Sequence, residues 1–210
     1  MKQLNENTVR QITSGQVVTS VSNVVKELIE NSIDAGATNI DVKLINFGLD
    51  LLEIKDNGSG VSADNIELMV ASHYTSKISD FQDLEKVTSY GFRGEALHSL
   101  CSVTSTLEIM SKRDQDQLAK IVKFDKNSKK ISESNVAATR GTIIKAFDIF
   151  DNLPVRRNYY KKSLQRRKED LKKIETFIWA YGLIHPKLRI SLSHNKVYSL
   201  ILRNLYLQSI

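Results

Sequence analysis

The chain has 210 residues, of which 41% are hydrophobic and 26% charged, and its net charge is +6. That is enough chain for one well-packed domain, or one domain and part of another, and no apolar run nears the roughly 18 residues of a membrane span. The start, MKQLNENTVRQ, has no secretory apolar stretch, and a lone cysteine, Cys101, forms no internal disulfide and offers no zinc cluster, so a reducing intracellular compartment is the expectation.

The first legible element is a helix over 20–32, with Val21, Val24, Val25, Leu28 and Ile29 as its apolar stripe and Gly36 as its stop. Residues 39–46 and 51–57 alternate apolar and polar positions, as half-buried strands do, and Gly48 marks a hairpin between them. Residues 62–73 read as a short helix capped by Ser62. The polar stretch 74–90 is long for a connection, and such loops are commonly lids or disordered. A helix is expected from Gly91 through Leu100, then strands at 104–110, 118–124 and 141–147. The stretch 125–140 between the last two is a loop or a hairpin holding a weak strand. One long helix is expected over 158–182, and a final hairpin over 188–194 and 196–202. This mixture predicts an α/β (α+β) fold, a two-layer sandwich whose mostly antiparallel sheet carries helices on one face. Neither G-x-G-x-x-G after the first strand nor a Walker pattern is present, which disfavours a Rossmann fold and a standard P-loop.

Glu27 and Asn31 lie four residues apart in VVKELIENSIDAGA and so share one helix face. A carboxylate there can take a proton from water, and an amide oxygen can hold a divalent cation. Alone, such a pair is often just a solvated face. Asp56 ends a strand before Asn57-Gly58-Ser59-Gly60. The plain reading is a turn; the sharper one is a buried carboxylate that accepts from the exocyclic amine of adenine, where guanine presents an oxygen. Gly91-Phe92-Arg93-Gly94 opens a helix whose backbone amides suit a phosphate, against the plain reading of a glycine-containing first turn. Lys77, in the 74–90 stretch, either adds a cation to those phosphates or is a solvated lysine. Assembled, these parts describe a nucleotide site: Asp56 reads the base, the 91–94 amides hold the terminal phosphate, Asn31 holds Mg2+ and Glu27 activates a water.

Charge is uneven. Residues 1–110 carry 8 Lys/Arg against 15 Asp/Glu, and residues 111–210 carry 22 against 9. Such a basic half favours an anionic partner. Arg156, Arg157, Lys161, Lys162, Arg166 and Arg167 are candidates for sequence-independent contacts to DNA phosphates; the plain alternative is a solvated helix face.

VVKELIENSIDAGAT, DNGSGV, HYTSKI, YGFRGEAL, the pair Gly141-Thr142 and NLPVRR, in this order, resemble the MutL family of DNA mismatch repair ATPases, part of the wider group of gyrase, Hsp90 and histidine kinases. MKQL, YTSKI and NLPVR look closest to its eukaryotic postmeiotic segregation branch. The resemblance implies the GHKL (Bergerat) ATPase fold over 21–200, preceded by an N-terminal arm over 1–20. It implies Glu27 as the water-activating residue, Asn31 as the magnesium ligand and Asp56 as the adenine reader. Gly58, Gly60, Lys77, Gly91, Phe92, Arg93 and Gly94 would form the ATP loops, with Thr142 near the base. Asp34 matches a family aspartate and is expected to serve the helix end. Further implications are slow magnesium-dependent ATP hydrolysis, ATP-gated dimerisation with another MutL homologue, DNA binding and a nuclear location. Gln16 stands where the family usually has glutamate. The tail 201–210 departs from the family pattern, and the second lobe and C-terminal dimerisation domain are not expected within this chain. The alternative is a nucleotide-gated DNA- and partner-binding module with negligible hydrolysis.

Overall fold

The computed structural model describes residues 13–72, 74, 89–91 and 94–202. Most of the arm, most of the 74–90 stretch, Lys77, Phe92, Arg93 and residues 203–210 lie outside the described residues. After a helical segment over 13–17, the chain forms α1 (Val21–Asp34), β1 (Asn39–Ile45), β2 (Leu51–Asp56), α2 (Ala96–Val103), β3 (Thr106–Lys112), β4 (Ala119–Asp125), β5 (Lys130–Val136), β6 (Gly141–Phe147), α3 (Pro154–Lys161), α4 (Leu164–Ile184), β7 (Arg189–His194) and β8 (Val197–Leu202). The eight strands make one sheet in the order β5-β4-β3-β6-β2-β1-β7-β8. Among the described residues only β1 and β7 pair in parallel, and the other neighbouring pairs are antiparallel.

Side-chain alternation gives the sheet two unlike faces. Val42, Ile54, Ile144 and Ile109 are register partners in one inward row, continued by Val122, and all are buried. Helix α1 lays Val21, Val24, Val25, Leu28 and Ile29 on this face. Fully burying side chains of this kind stabilises the fold by roughly 1.5–3 kcal/mol each. The opposite face carries ion pairs instead, with Glu108 between Lys145 and Lys123, and Lys43 beside Glu53. Among the described residues no helix is long and apolar enough to cross a membrane.

One alternative left open by the sequence is settled, and two elements differ from the sequence reading. The stretch 125–140 contains a full strand, β5, exposed along its whole length. KISESNV has no apolar face, so it pairs through its backbone as a sheet edge and leaves little periodic signal. The long helix is broken at Lys162–Ser163, because Pro154 starts α3 in its first turn and Ser163 caps α4 by accepting from the Arg166 N–H at 3.4 Å. Residues 62–73 hold two 3-10 turns, Ala63–Asn65 and Glu67–Val70, and the Ser62 side chain makes no cap.

Candidate functional site

Helix α1 forms one wall of a large cleft. Ser20 fixes its start by accepting from the Asn23 N–H at 3.0 Å. With the apolar stripe turned to the sheet, Glu27, Asn31 and Asp34 stand half-buried along the cleft. The cleft encloses about 1210 Å³ and is also lined by Asp56, Gly60, Gly91, Gly94 and Thr142. Glu27 and Asn31 therefore face the same space as the glycine segments and the strand-end carboxylate. A cleft of this size is ample for a mononucleotide.

Asp56 is placed by the same alternation that buries Leu52 and Ile54. It is the last inward position of β2, so a carboxylate sits where the core row would continue. Its Oδ1 accepts from the N–H groups of Gly58 (2.8 Å) and Thr142 (3.2 Å), and its Oδ2 accepts from the Ser32 hydroxyl (3.1 Å). Burial pushes the Asp56 carboxyl above the usual carboxylate range, and these three donors pull it only part of the way back. Gly141 packs on this strand end: at φ +128, an added Cβ would lie 2.0 Å from the Asp56 carbonyl oxygen. Thr142 is buried, and its hydroxyl shares a 3.0 Å hydrogen bond with Ser111, whose Oγ also accepts from the Val61 N–H at 2.8 Å.

The glycine segment departs in detail from the expected phosphate loop. Helix α2 begins at Ala96, beyond Gly94, with Glu95 at its cap position. The N–H groups of Tyr90 and Gly91 donate to the Asp34 carboxylate at 3.0 and 3.2 Å. Asp34 thus does more than end its helix: it ties the glycine segment to α1. Gly94 adopts φ +65 against the Tyr74 carbonyl, which would stand 2.3 Å from an added Cβ, so only glycine suits this approach.

Sequence reasoning missed Ser32, Ser111 and the tether made by Asp34. A serine on one helix gives no signal until the strand end that carries Asp56, 24 positions away, is known to meet it. The structure also divides the basic candidates. Arg156 donates to the carbonyls of Gly15 (2.7 Å) and Val18 (2.6 Å). Arg157 is bonded to Asp148 and Asp151, and Arg167 donates to the Asn46 side chain at 3.0 Å with its guanidinium over Phe47. These three hold the fold together, whereas Lys161, Lys162 and Arg166 are exposed.

The sheet is thus covered by helices on one face, with a polar cleft along the first helix. Residues 18–153 match the family described as "Histidine kinase-, DNA gyrase B-, and HSP90-like ATPase", and the chain belongs to that family. Within it, similar proteins include those of mismatch repair. The chain is 44% identical over 196 residues to human "PMS1 protein homolog 1", covering 93% of this chain and 21% of that protein. It is 42% identical over 191 residues to human "Mismatch repair endonuclease PMS2", covering 91% and 22%. The chain thus spans about a fifth of the length of these relatives. Among solved structures, the "N terminal domain of a DNA repair protein" superposes with TM-score 0.80 at 36% identity, covering 96% of this chain and 59% of that one. The "Aquifex aeolicus MutL ATPase domain complexed with ADP" follows with TM-score 0.66 at 29% identity, covering 88% and 64%.

Proposed function

We propose that this chain is the ATP-binding and ATP-hydrolysing module of a MutL-type mismatch repair protein. The observation that carries this reading is that Glu27 and Asn31 share one cleft with Asp56 and Gly94. In it, the free edge of Asp56 Oδ2 accepts from the adenine amine, with Thr142 beside the base. The segment around Gly94 lies against the phosphates. Glu27 orients a water and takes its proton as the terminal phosphoryl group is attacked, a contribution on the order of 10²–10⁴-fold.

Magnesium fits this donor set. Among the described residues no cluster of three or more acidic, histidine or cysteine side chains is placed to chelate a metal alone. Magnesium needs none, since it keeps several waters and shares phosphate oxygens. Asn31 would be its protein ligand, and the ion would neutralise charge on the transferring phosphoryl group. The exposed Lys161, Lys162 and Arg166 are the proposed DNA contacts, and binding that is indifferent to salt would count against them. Pairing with another MutL homologue on DNA, in the nucleus, belongs to the same proposal, and the likeness to eukaryotic mismatch repair proteins supports it.

The test is phosphate release by the wild-type chain and by Glu27→Ala. We expect Glu27→Ala to bind ATP as the wild type does and to lose turnover by about 10²-fold or more. Wild-type turnover in the variant would reject Glu27 as the base. Binding without turnover in both proteins would favour a nucleotide-gated binding module.

A further inference from the structure

Two buried polar groups of α4 grip α1, and the cleft itself uses neither. Asp170 lies on the buried stripe of α4 with Ile174, Ile178 and Tyr181, where an apolar residue would ordinarily stand. It is 7% exposed. Its carboxylate accepts from the backbone N–H of Ser22 at 3.1 Å, from the Ser22 hydroxyl, and from the Tyr160 hydroxyl at 3.4 Å. Ser22 is the second residue of α1. Its N–H is one of the donors that a helix start leaves without an intrahelical partner, and a carboxylate there also meets the positive end of the helix dipole. Farther along, the Tyr181 hydroxyl donates to Glu30 Oε1 at 2.6 Å, and Lys26 donates to the same oxygen at 2.7 Å.

The two contacts run in the same sense along both helices, Asp170 to Ser22 and Tyr181 to Glu30. On α1 they are separated by about 12 Å at 1.5 Å per residue. Glu27 lies between them and Asn31 directly follows the second. Two anchors of this kind fix both the rotation of α1 about its axis and its slide along α4, which one apolar seam does not. Apolar packing tolerates small shifts that hydrogen bonds of fixed length do not.

We infer that Asp170 and Tyr181 are positioning residues for hydrolysis: through Ser22 and Glu30 they set where α1 presents Glu27. The inference rests on the ATPase reading above. A displacement of about 1 Å in a reacting group costs on the order of 10²-fold in rate. Loosening the anchors should therefore lower turnover more than it lowers nucleotide affinity, to which Asp56 and the Gly94 segment also contribute.

The test is steady-state ATP hydrolysis by the 210-residue chain, with Asp170→Asn, Tyr181→Phe and Ser22→Ala beside the wild type. Asp170→Asn keeps the shape but turns an amide donor toward a donor of Ser22; the other two each remove one hydroxyl. We expect kcat to fall by about tenfold or more in Asp170→Asn and less in the hydroxyl variants, with KM changed by less than about threefold. The double variant Ser22→Ala/Asp170→Asn should be no slower than Asp170→Asn alone, because both act on one contact. A merely structural role would lower the thermal midpoint and leave kcat per folded molecule intact, and that result would overturn the inference. If Asp170→Asn fails to fold, Tyr181→Phe and Ser22→Ala decide by the same kcat–KM split. Wild-type turnover beside equally active variants defeats this inference alone. Absence of wild-type turnover defeats the ATPase reading and this inference with it.

Discussion

On the proposed ATPase reading, Asp56 is the residue that converts fold into selectivity. Its two oxygens are already oriented by Gly58, Thr142 and Ser32, so the remaining accepting edge has a fixed direction before any base arrives. Asp56→Asn keeps an acceptor for the two backbone amides but presents an NH2 group where the carboxylate accepted. We expect ATP affinity to fall by about tenfold or more, because a buried donor then faces the adenine amine. GTP, with an oxygen at that position, should lose less, so the ATP-to-GTP preference narrows. Competition binding with both nucleotides measures this, and an unchanged preference would remove Asp56 as the base reader. The residue types of this site were legible in sequence because Glu27, Asn31 and Asp56 break the pattern around them: each is polar beside an apolar repeat. Ser32 and Asp34 were less legible because their partners, Asp56 and the 90–91 amides, lie 24, 56 and 57 positions away, and no local pattern encodes such a meeting.

The turn between β1 and β2 is where separate elements are locked together. Asn46 and Phe47 have φ of 49° and 59°, which is costly for residues other than glycine. Three outside groups hold them there. The Phe47 N–H donates to His194 Nε2 at 3.1 Å, the Asn46 N–H donates to the Asn195 side chain at 2.9 Å, and Arg167 reaches Asn46 from α4. His194 must be neutral at Nε2 to accept, and burial holds its pKa below the ordinary imidazole value. An unfolded histidine takes its proton near pH 6.5, while the folded one takes it at lower pH. The stability it contributes is therefore fully present above about pH 6.5 and is lost as pH falls toward the folded pKa. Chemical denaturation between about pH 7.5 and 5.5 should show this loss, and His194→Gln should flatten it; an equal slope in the variant would contradict the assignment. Strongly patterned elements such as α1, β1, β2 and the β7–β8 hairpin were readable in sequence, because each has one apolar face. Strand β5 was readable only as a weak strand within 125–140, since it is exposed along its whole length and has no apolar face. The break before α4, where Ser163 interrupts an otherwise continuous helical pattern, was not readable.

Across the whole molecule, a sheet with one apolar face supports α1, and α1 carries acid and amide into a cleft closed by strand ends and glycine segments. Sheet order was beyond the sequence. The parallel neighbours β1 and β7 are about 150 residues apart, as in Asp41↔Ser191, and only tertiary packing brings them together. The uneven charge was plain in sequence, but its division was not, since Arg156, Arg157 and Arg167 serve the fold while Lys161, Lys162 and Arg166 face outward. The central claim is that one face of α1 meets a metal-bound triphosphate in this cleft. Calorimetric titration of ATP into the wild type and into Asn31→Ala, with and without magnesium, tests it most directly. The account predicts that magnesium tightens ATP binding to the wild type by about tenfold or more, and that Asn31→Ala abolishes this gain while its magnesium-free affinity stays within about threefold. Equal magnesium dependence in both proteins would contradict it.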